Sequence, residues 1–223
     1  MKRRISLYLT GAAVLLAASF ISQKVSHAQR DSLQFRRSFH TEARVGKKAP
    51  DFKLKDQFGK KHKLKDYRGK IVVLEWMNPA CPFVQRHYKA GTTVNLEKQF
   101  ATGEKSDIVW LRINSTAKEV EGYLSAKEMK AWGAKHGVSG PILDDSKGRV
   151  GHLYGAKSTP ALFVIDKSGK LVFSGAIDDD PYGRKSPEKR DVYVADILTA
   201  FQDGKPVKPF ANNSYGCSVK YKN

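Results

Sequence analysis

The chain has 223 residues, 40% apolar and 10% aromatic, enough for one domain with a real core and too apolar for a disordered chain. Its two cysteines exclude a disulfide-dense scaffold, a four-thiolate zinc site and a thiolate-ligated iron–sulfur cluster. Forty Lys plus Arg against 22 Asp plus Glu give a formal charge of +18, which raises nucleic acid as a partner. The pattern of the cations speaks against it. Ten fall between Lys47 and Lys70, alternating as FKLKD and HKLKD, which suits the polar face of a hairpin, and no nucleic-acid motif stands out. The expected partners therefore exclude nucleic acid and include peripheral contact with an anionic membrane or cell wall.

In chain order, Lys2, Arg3 and Arg4 precede a mostly apolar run from Ile5 to Ile21, and Ser26 and Ala28 are small residues before a cut at Gln29. This is the pattern of a signal peptide over 1–28. It is preferred to an N-terminal membrane anchor because the run is short of the roughly 20 residues a spanning helix needs. The expected location is periplasmic or extracellular, where thiols can oxidise. Residues 29–44 read as a flexible lead-in. APDFKLKD, a turn at Gln57–Lys60 and HKLKDYRGK predict a hairpin. IVVLEWM (71–77) and DIVWLRIN (107–114) are continuous apolar runs, the mark of buried strands. Helices are predicted over Cys81–Phe100, over 125–137 with a glycine stop, over 150–156 and over Arg190–Gln202. ALFVID (161–166) and KLVFSGAID (170–178) flank a turn at Lys167–Gly169 and form a second hairpin. The order predicts one α/β domain over 45–202 with a mixed sheet covered on both faces, followed by a tail over 203–223.

Cys81 follows a buried strand and precedes Pro82, a residue suited to the first helical turn. A thiol there faces unpaired backbone N–H groups and the positive end of the helix, both of which favour the reactive thiolate. An inert buried cysteine is the bland alternative.

VVLEWMNPACPFVQRHY, with APDFKLKD and YRGK before it and ILDDSKGRVGHLYGAKSTPALFVIDKSGKLVFSGAIDD, YVADILTAFQDGKPV and YGCSVKY after it, resembles the redoxin group of thioredoxin-fold proteins. That group holds the alkyl hydroperoxide reductase and thiol-specific antioxidant (peroxiredoxin-like) proteins and the periplasmic thiol–disulfide oxidoreductases. The resemblance implies a thioredoxin-like three-layer fold with an N-terminal hairpin extension and a C-terminal tail. It implies that Cys81 is the nucleophile and that Thr159 and Pro160 form the cis-proline loop facing it, where an extended substrate strand can pair. Two departures stand out. The second cysteine of a thioredoxin-type site is replaced by Val84. The threonine or serine and the proline of peroxiredoxins are replaced by Asn78 and Leu74, leaving Asn78 to hydrogen-bond a bound oxygen and Arg86, Arg112 or Arg149 to stand in for the peroxide-binding arginine.

Cys217 is either a resolving cysteine that closes a Cys81–Cys217 disulfide, to be reset by an external dithiol donor, or half of a permanent staple. The leading expectation is an exported, peroxiredoxin-like thiol oxidoreductase without cofactor or metal, acting on a peroxide or a protein disulfide. The alternatives are a thiol–disulfide exchange protein of thioredoxin type and a non-catalytic binding module. His87, six positions along the predicted helix and about 120° off the Cys81 face, reads as a surface or packing residue, with Gln85 and Tyr88 closer to that face. Asp178–Asp180 and Asp144–Asp145 read as solvated turns. Trp76 reads as a shield of the thiolate or a core aromatic, and Glu75 as a buried acid able to relay a proton.

Overall fold

The structure, a computed structural model, describes residues 42–102 and 106–222. The expected leader and most of the lead-in lie outside the described residues. Where the lead-in enters them, Ala43 donates its N–H to Leu153 O at 2.9 Å.

Strands β1 (Lys53–Asp56) and β2 (Lys61–Lys63) form the first hairpin, and a 3-10 turn (Leu64–Tyr67) leads into β3 (Ile71–Trp76). Helices α1 (Pro82–Lys89) and α2 (Thr92–Phe100) follow, then β4 (Ile108–Asn114), α3 (Ala126–Lys135), β5 (Ile142–Asp144) and α4 (Arg149–Tyr154). The chain closes with β6 (Ser158–Thr159), β7 (Ala161–Ile165), β8 (Leu171–Gly175), α5 (Tyr193–Gln202), β9 (Phe210–Ala211) and β10 (Cys217–Ser218). One mixed sheet runs β2-β1-β5-β4-β3-β7-β8-β9, while β10 pairs with β6 apart from it. Within the sheet β3 is parallel to β4 and antiparallel to β7.

Alternation along β3 explains the three layers. Val72, Leu74 and Trp76 face one side, where they pack with Phe163 and with Val150 and Tyr154 of α4. Ile71 and Val73 face the other, against Leu96 and Phe100 of α2 and Val194, Ile197 and Leu198 of α5. All six residues of β3 are buried, as a strand covered on both faces requires. A third cluster of Met77, Cys81, Val84, Tyr88, Val94, Met129 and Ile142 sits beyond the carboxyl end of β3 and holds the first cysteine.

Three features differ from expectation. The helix expected over Cys81–Phe100 is two helices, because Gly91 takes φ +71°, a left-handed conformation that ends α1 and starts α2. β5 is a three-residue strand that periodicity passed over. The tail is also part of the fold: β9 extends the sheet beside β8, and β10 returns to β6.

Candidate functional site

Cys81 is the residue that caps α1, with Pro82 as the first helical residue. Asn78 shapes the approach. Its Oδ1 accepts from the Ala80 N–H at 2.7 Å and its backbone carbonyl from the Cys81 N–H at 3.0 Å. The side-chain oxygen of Asn78 is thus engaged by the turn that presents Cys81, which leaves Nδ2 for the expected donation to a bound oxygen.

The Thr159–Pro160 peptide bond is cis, and Thr159 O lies 3.1 Å from Cys81 Sγ. The strand edge beside it is filled by the chain's own tail. β10 pairs antiparallel with β6, placing Cys217 opposite Thr159 and Ser218 opposite Ser158. Gly216 enables this approach: at φ +119°, a Cβ there would stand 2.1 Å from Thr159 O. Cys217 Sγ comes to rest 2.8 Å from Cys81 Sγ, across 136 residues of sequence. An S–S bond measures about 2.05 Å, and both cysteines are free thiols. Cys81 is 2% exposed, whereas Cys217 is only half-buried.

The two sulfurs differ in acidity. Burial pushes the Cys81 thiol up, but hydrogen bonds from the Cys217 thiol, the Val84 and Cys217 N–H groups and the Thr159 side chain outweigh it and hold Cys81 below the usual thiol range. Cys217 is pushed up to about 11 by its own burial, by the hydrogen bond it donates and by the charge on Cys81. Cys81 is the more acidic sulfur of the pair, and Cys217 the less acidic.

The remaining sequence candidates are placed as follows. Glu75 is fully buried, accepting from Tyr88 Oη at 2.9 Å and Trp110 Nε1 at 2.8 Å, with Arg112 Nε at 3.4 Å. Burial raises its pKa, and the Arg112 charge opposes that. Arg112 donates to Tyr88 Oη at 2.6 Å and pairs with Glu97 at 2.9 Å, so its guanidinium is committed beneath the site. Arg149 is exposed at the start of α4. Trp76 is a core aromatic that packs on Tyr154 and Phe163, in a cluster separate from that of Cys81. Of the carboxylates expected in solvated turns, Asp145, Asp178 and Asp180 are buried instead, while Asp144 and Asp179 are partly exposed. Asp145 accepts from Ser115 Oγ at 2.6 Å and Gly151 N at 2.8 Å, while Asp180 accepts from Arg184 N at 2.8 Å and Lys185 N at 3.0 Å. Among the described residues, no group of three or more His, Cys, Asp or Glu side chains is gathered to hold a metal.

His87 is the packing residue of the two alternatives, not the surface one. It is buried, with Nε2 at 2.8 Å from Tyr215 Oη in the tail. The tyrosine hydroxyl also contacts Arg86 Nη2 at 3.3 Å and donates to Asp178 Oδ1. The tail lies along the face of α1 beside that of Cys81, so His87 meets Tyr215, two residues before Cys217, through a contact that helical spacing alone does not show.

The AhpC/TSA family profile matches residues 45–174. The chain is 29% identical over 131 residues to the thiol-disulfide oxidoreductase ResA of Geobacillus thermodenitrificans, covering 59% of this chain and 68% of that protein. It is 31% identical over 126 residues to the thioredoxin-like protein YneN of Bacillus subtilis, covering 56% of this chain and 68% of that protein. The structure is similar to that of an uncharacterized conserved protein from Geobacillus kaustophilus, with a TM-score of 0.70 and 28% identity over 82% of this chain and 95% of that one. With a thioredoxin-like mixed sheet and a family match spanning more than half of its length, the chain belongs to the AhpC/TSA family.

Proposed function

We propose that the protein carries out thiol–disulfide exchange, cycling between a Cys81/Cys217 dithiol and a Cys81–Cys217 disulfide. The observation that supports this most is the 2.8 Å approach of the two sulfurs beside Thr159. Relatives named as thiol-disulfide oxidoreductases support the same class.

In the proposed cycle β10 lifts from Thr159 and the Cys81 thiolate attacks one sulfur of a substrate disulfide. A Cys81–substrate bond forms and the substrate's other sulfur leaves as a thiolate, which takes a proton. Cys217 returns, gives up its proton and attacks Cys81 Sγ, releasing the second substrate thiolate and closing Cys81–Cys217. The substrate disulfide is reduced by two electrons and the enzyme dithiol is oxidised by two. An external dithiol resets the pair. Its first thiolate attacks the half-buried Cys217, and Cys81, the more acidic thiol, departs as the better leaving group. Its second thiol then releases Cys217, leaving the donor as a disulfide.

The same placements favour exchange over peroxide reduction. The Arg112 guanidinium is paired with Glu75 and Glu97 and bonded to Tyr88 in the core. The proposal keeps the exported location read from the leader-like N-terminus. It gives the hairpin's cross-strand lysines (Lys53 opposite Lys63, Lys55 opposite Lys61) the contact with an anionic surface.

Turnover assays test the proposal. Dithiothreitol-driven reduction of a protein disulfide such as insulin is expected with the native chain and not with Cys81→Ser. Rapid consumption of hydrogen peroxide without disulfide turnover would replace this reading with a peroxidase.

A further inference from the structure

We propose that Tyr215 is a positioning residue for the redox pair: its hydroxyl, seated among Arg86, His87 and Asp178, sets the register of the tail so that Cys217 meets Cys81. This rests on the exchange reading for its purpose, but its geometry stands independently.

Tyr215 and Cys217 are two residues apart. Gly216 between them, at φ +119°, bends the chain so that both side chains turn toward α1, with Tyr215 also reaching the loop after β8. Cys217 meets Cys81 at the start of α1. Tyr215 reaches Arg86 and His87 farther along the same helix, and its ring also lies against Phe83, with centroids 6.0 Å apart. A slip of two residues would carry Cys217 Sγ about 7 Å from Cys81. Ser218 and Val219 pair only with the short β6 and Lys157, and strand pairing of that length specifies register weakly. A buried polar socket specifies it strongly.

Tyr215 O–H donates to Asp178 Oδ1, and the phenol oxygen accepts from Arg86 Nη2–H. His87 Nε2 lies 2.8 Å from the phenol oxygen and 3.1 Å from Arg86 Nη2, donating to the first or accepting from the second according to its tautomer. His87 and Asp178 are each 1% exposed. Withdrawal of the tail would take the phenol away from His87 Nε2 and from Asp178 Oδ1, leaving Oδ1 only the Asp180 N–H at 3.1 Å, so the socket holds the tyrosine at a cost to release. Arg190 Nε approaches Asp178 Oδ2 at 3.6 Å, an ionic contact that leaves the Oδ1 side to the phenol. Asn212 and Ser214 fix the strand upstream, accepting from Ala176 N at 2.7 Å and from Ser158 Oγ at 2.6 Å. Tyr215 and Val219 flank Cys217 at two residues on either side and both pack side chains into the domain, but only Tyr215 is held there by side-chain hydrogen bonds.

The test compares Tyr215→Phe, Arg86→Gln and a control, Tyr221→Phe, with the native chain. Tyr221 is a tail tyrosine of similar kind beyond Cys217, donating to Ala156 O at 2.6 Å and stacked on His152. Two readouts are taken: the equilibrium constant for Cys81–Cys217 disulfide formation in dithiothreitol buffers, and the pH profile of Cys81 alkylation. Tyr215→Phe is expected to lower the constant by about tenfold or more and to move the alkylation midpoint upward, with Arg86→Gln shifting both in the same direction. Tyr221→Phe is expected to change the constant by less than about threefold. Arg86→Gln carries the test if Tyr215→Phe does not fold. Unchanged constants and midpoints in folded variants, or an equal shift in Tyr221→Phe, would overturn the positioning role. A native chain that forms no Cys81–Cys217 disulfide would sink the exchange reading instead, and the alkylation midpoints alone would then decide the role of Tyr215.

Discussion

Cys217 stands in register with Thr159, the residue whose carbonyl oxygen lies 3.1 Å from Cys81 Sγ. The tail therefore brings its thiol along the edge of β6, and on the exchange reading an extended substrate and Cys217 would compete for that one place. Most of the expected behaviour follows from that competition.

Removing the resolving thiol while keeping the strand is the first test. In Cys217→Ala the Cys81 thiolate loses the S–H that faces it but keeps the N–H groups of Val84 and residue 217. The alkylation midpoint of Cys81 is expected to move up, and its alkylation at neutral pH to slow by roughly three- to tenfold. Iodoacetamide kinetics read by mass spectrometry check this.

Displacing the strand while keeping the thiol does the reverse. Gly216→Val drives a Cβ into the Thr159 carbonyl, so β10 is expected to separate from β6. Cys81, 2% exposed in the closed form, then becomes accessible. The disulfide constant should fall by at least about tenfold while protein-sized reagents reach Cys81 faster, as its trapping by a protein mixed-disulfide probe would register.

The buried ionic group beneath the site serves stability. Arg112→Met leaves Glu75 and Glu97 without their cation in a dry interior and is expected to cost about 3–5 kcal/mol. Glu75→Gln keeps the shape and one acceptor oxygen and leaves Arg112 its pairing with Glu97, so it should cost less than Arg112→Met even though an NH2 replaces one accepting oxygen. Urea unfolding followed by tryptophan fluorescence measures both.

The fold was legible where the signal is local. The run at 71–77 reads as a buried strand because both faces of β3 meet apolar partners, and Pro82 after Cys81 announces the start of α1. The site was legible only as far as motifs carry. Cys81, Thr159 and Pro160 stand at positions that the redoxin pattern marks, and the structure brings them together. The tail was not legible. β9 and β10 are two residues each, too short for periodicity, and their pairing joins positions far apart in sequence. The carboxylates of Asp145, Asp178 and Asp180 looked like solvated turns because a charge count along the chain does not show which backbone N–H groups and side chains close over them.

His87 gives the protein an acid-side sensitivity. Burial, with the charges of Arg86 and Arg190 and against that of Asp180, lowers its pKa to about 3. The unfolded chain takes up a proton below about 6.5 that the folded chain refuses until near 3, so stability falls as pH drops through that window, by up to about 1.4 kcal/mol per unit. Unfolding midpoints at pH 7, 5 and 4 should decline for the native chain and decline less for His87→Gln.

The most direct test of the account is the reduction potential of the Cys81–Cys217 pair, measured by mass spectrometry after equilibration in dithiothreitol buffers. The account predicts that the two cysteines form the disulfide and that its potential lies well above about −300 mV, as a working exchanger requires. A link with a potential below about −300 mV would mark a permanent staple, and no link at all would leave Cys217 without a redox role; either result contradicts exchange through this pair.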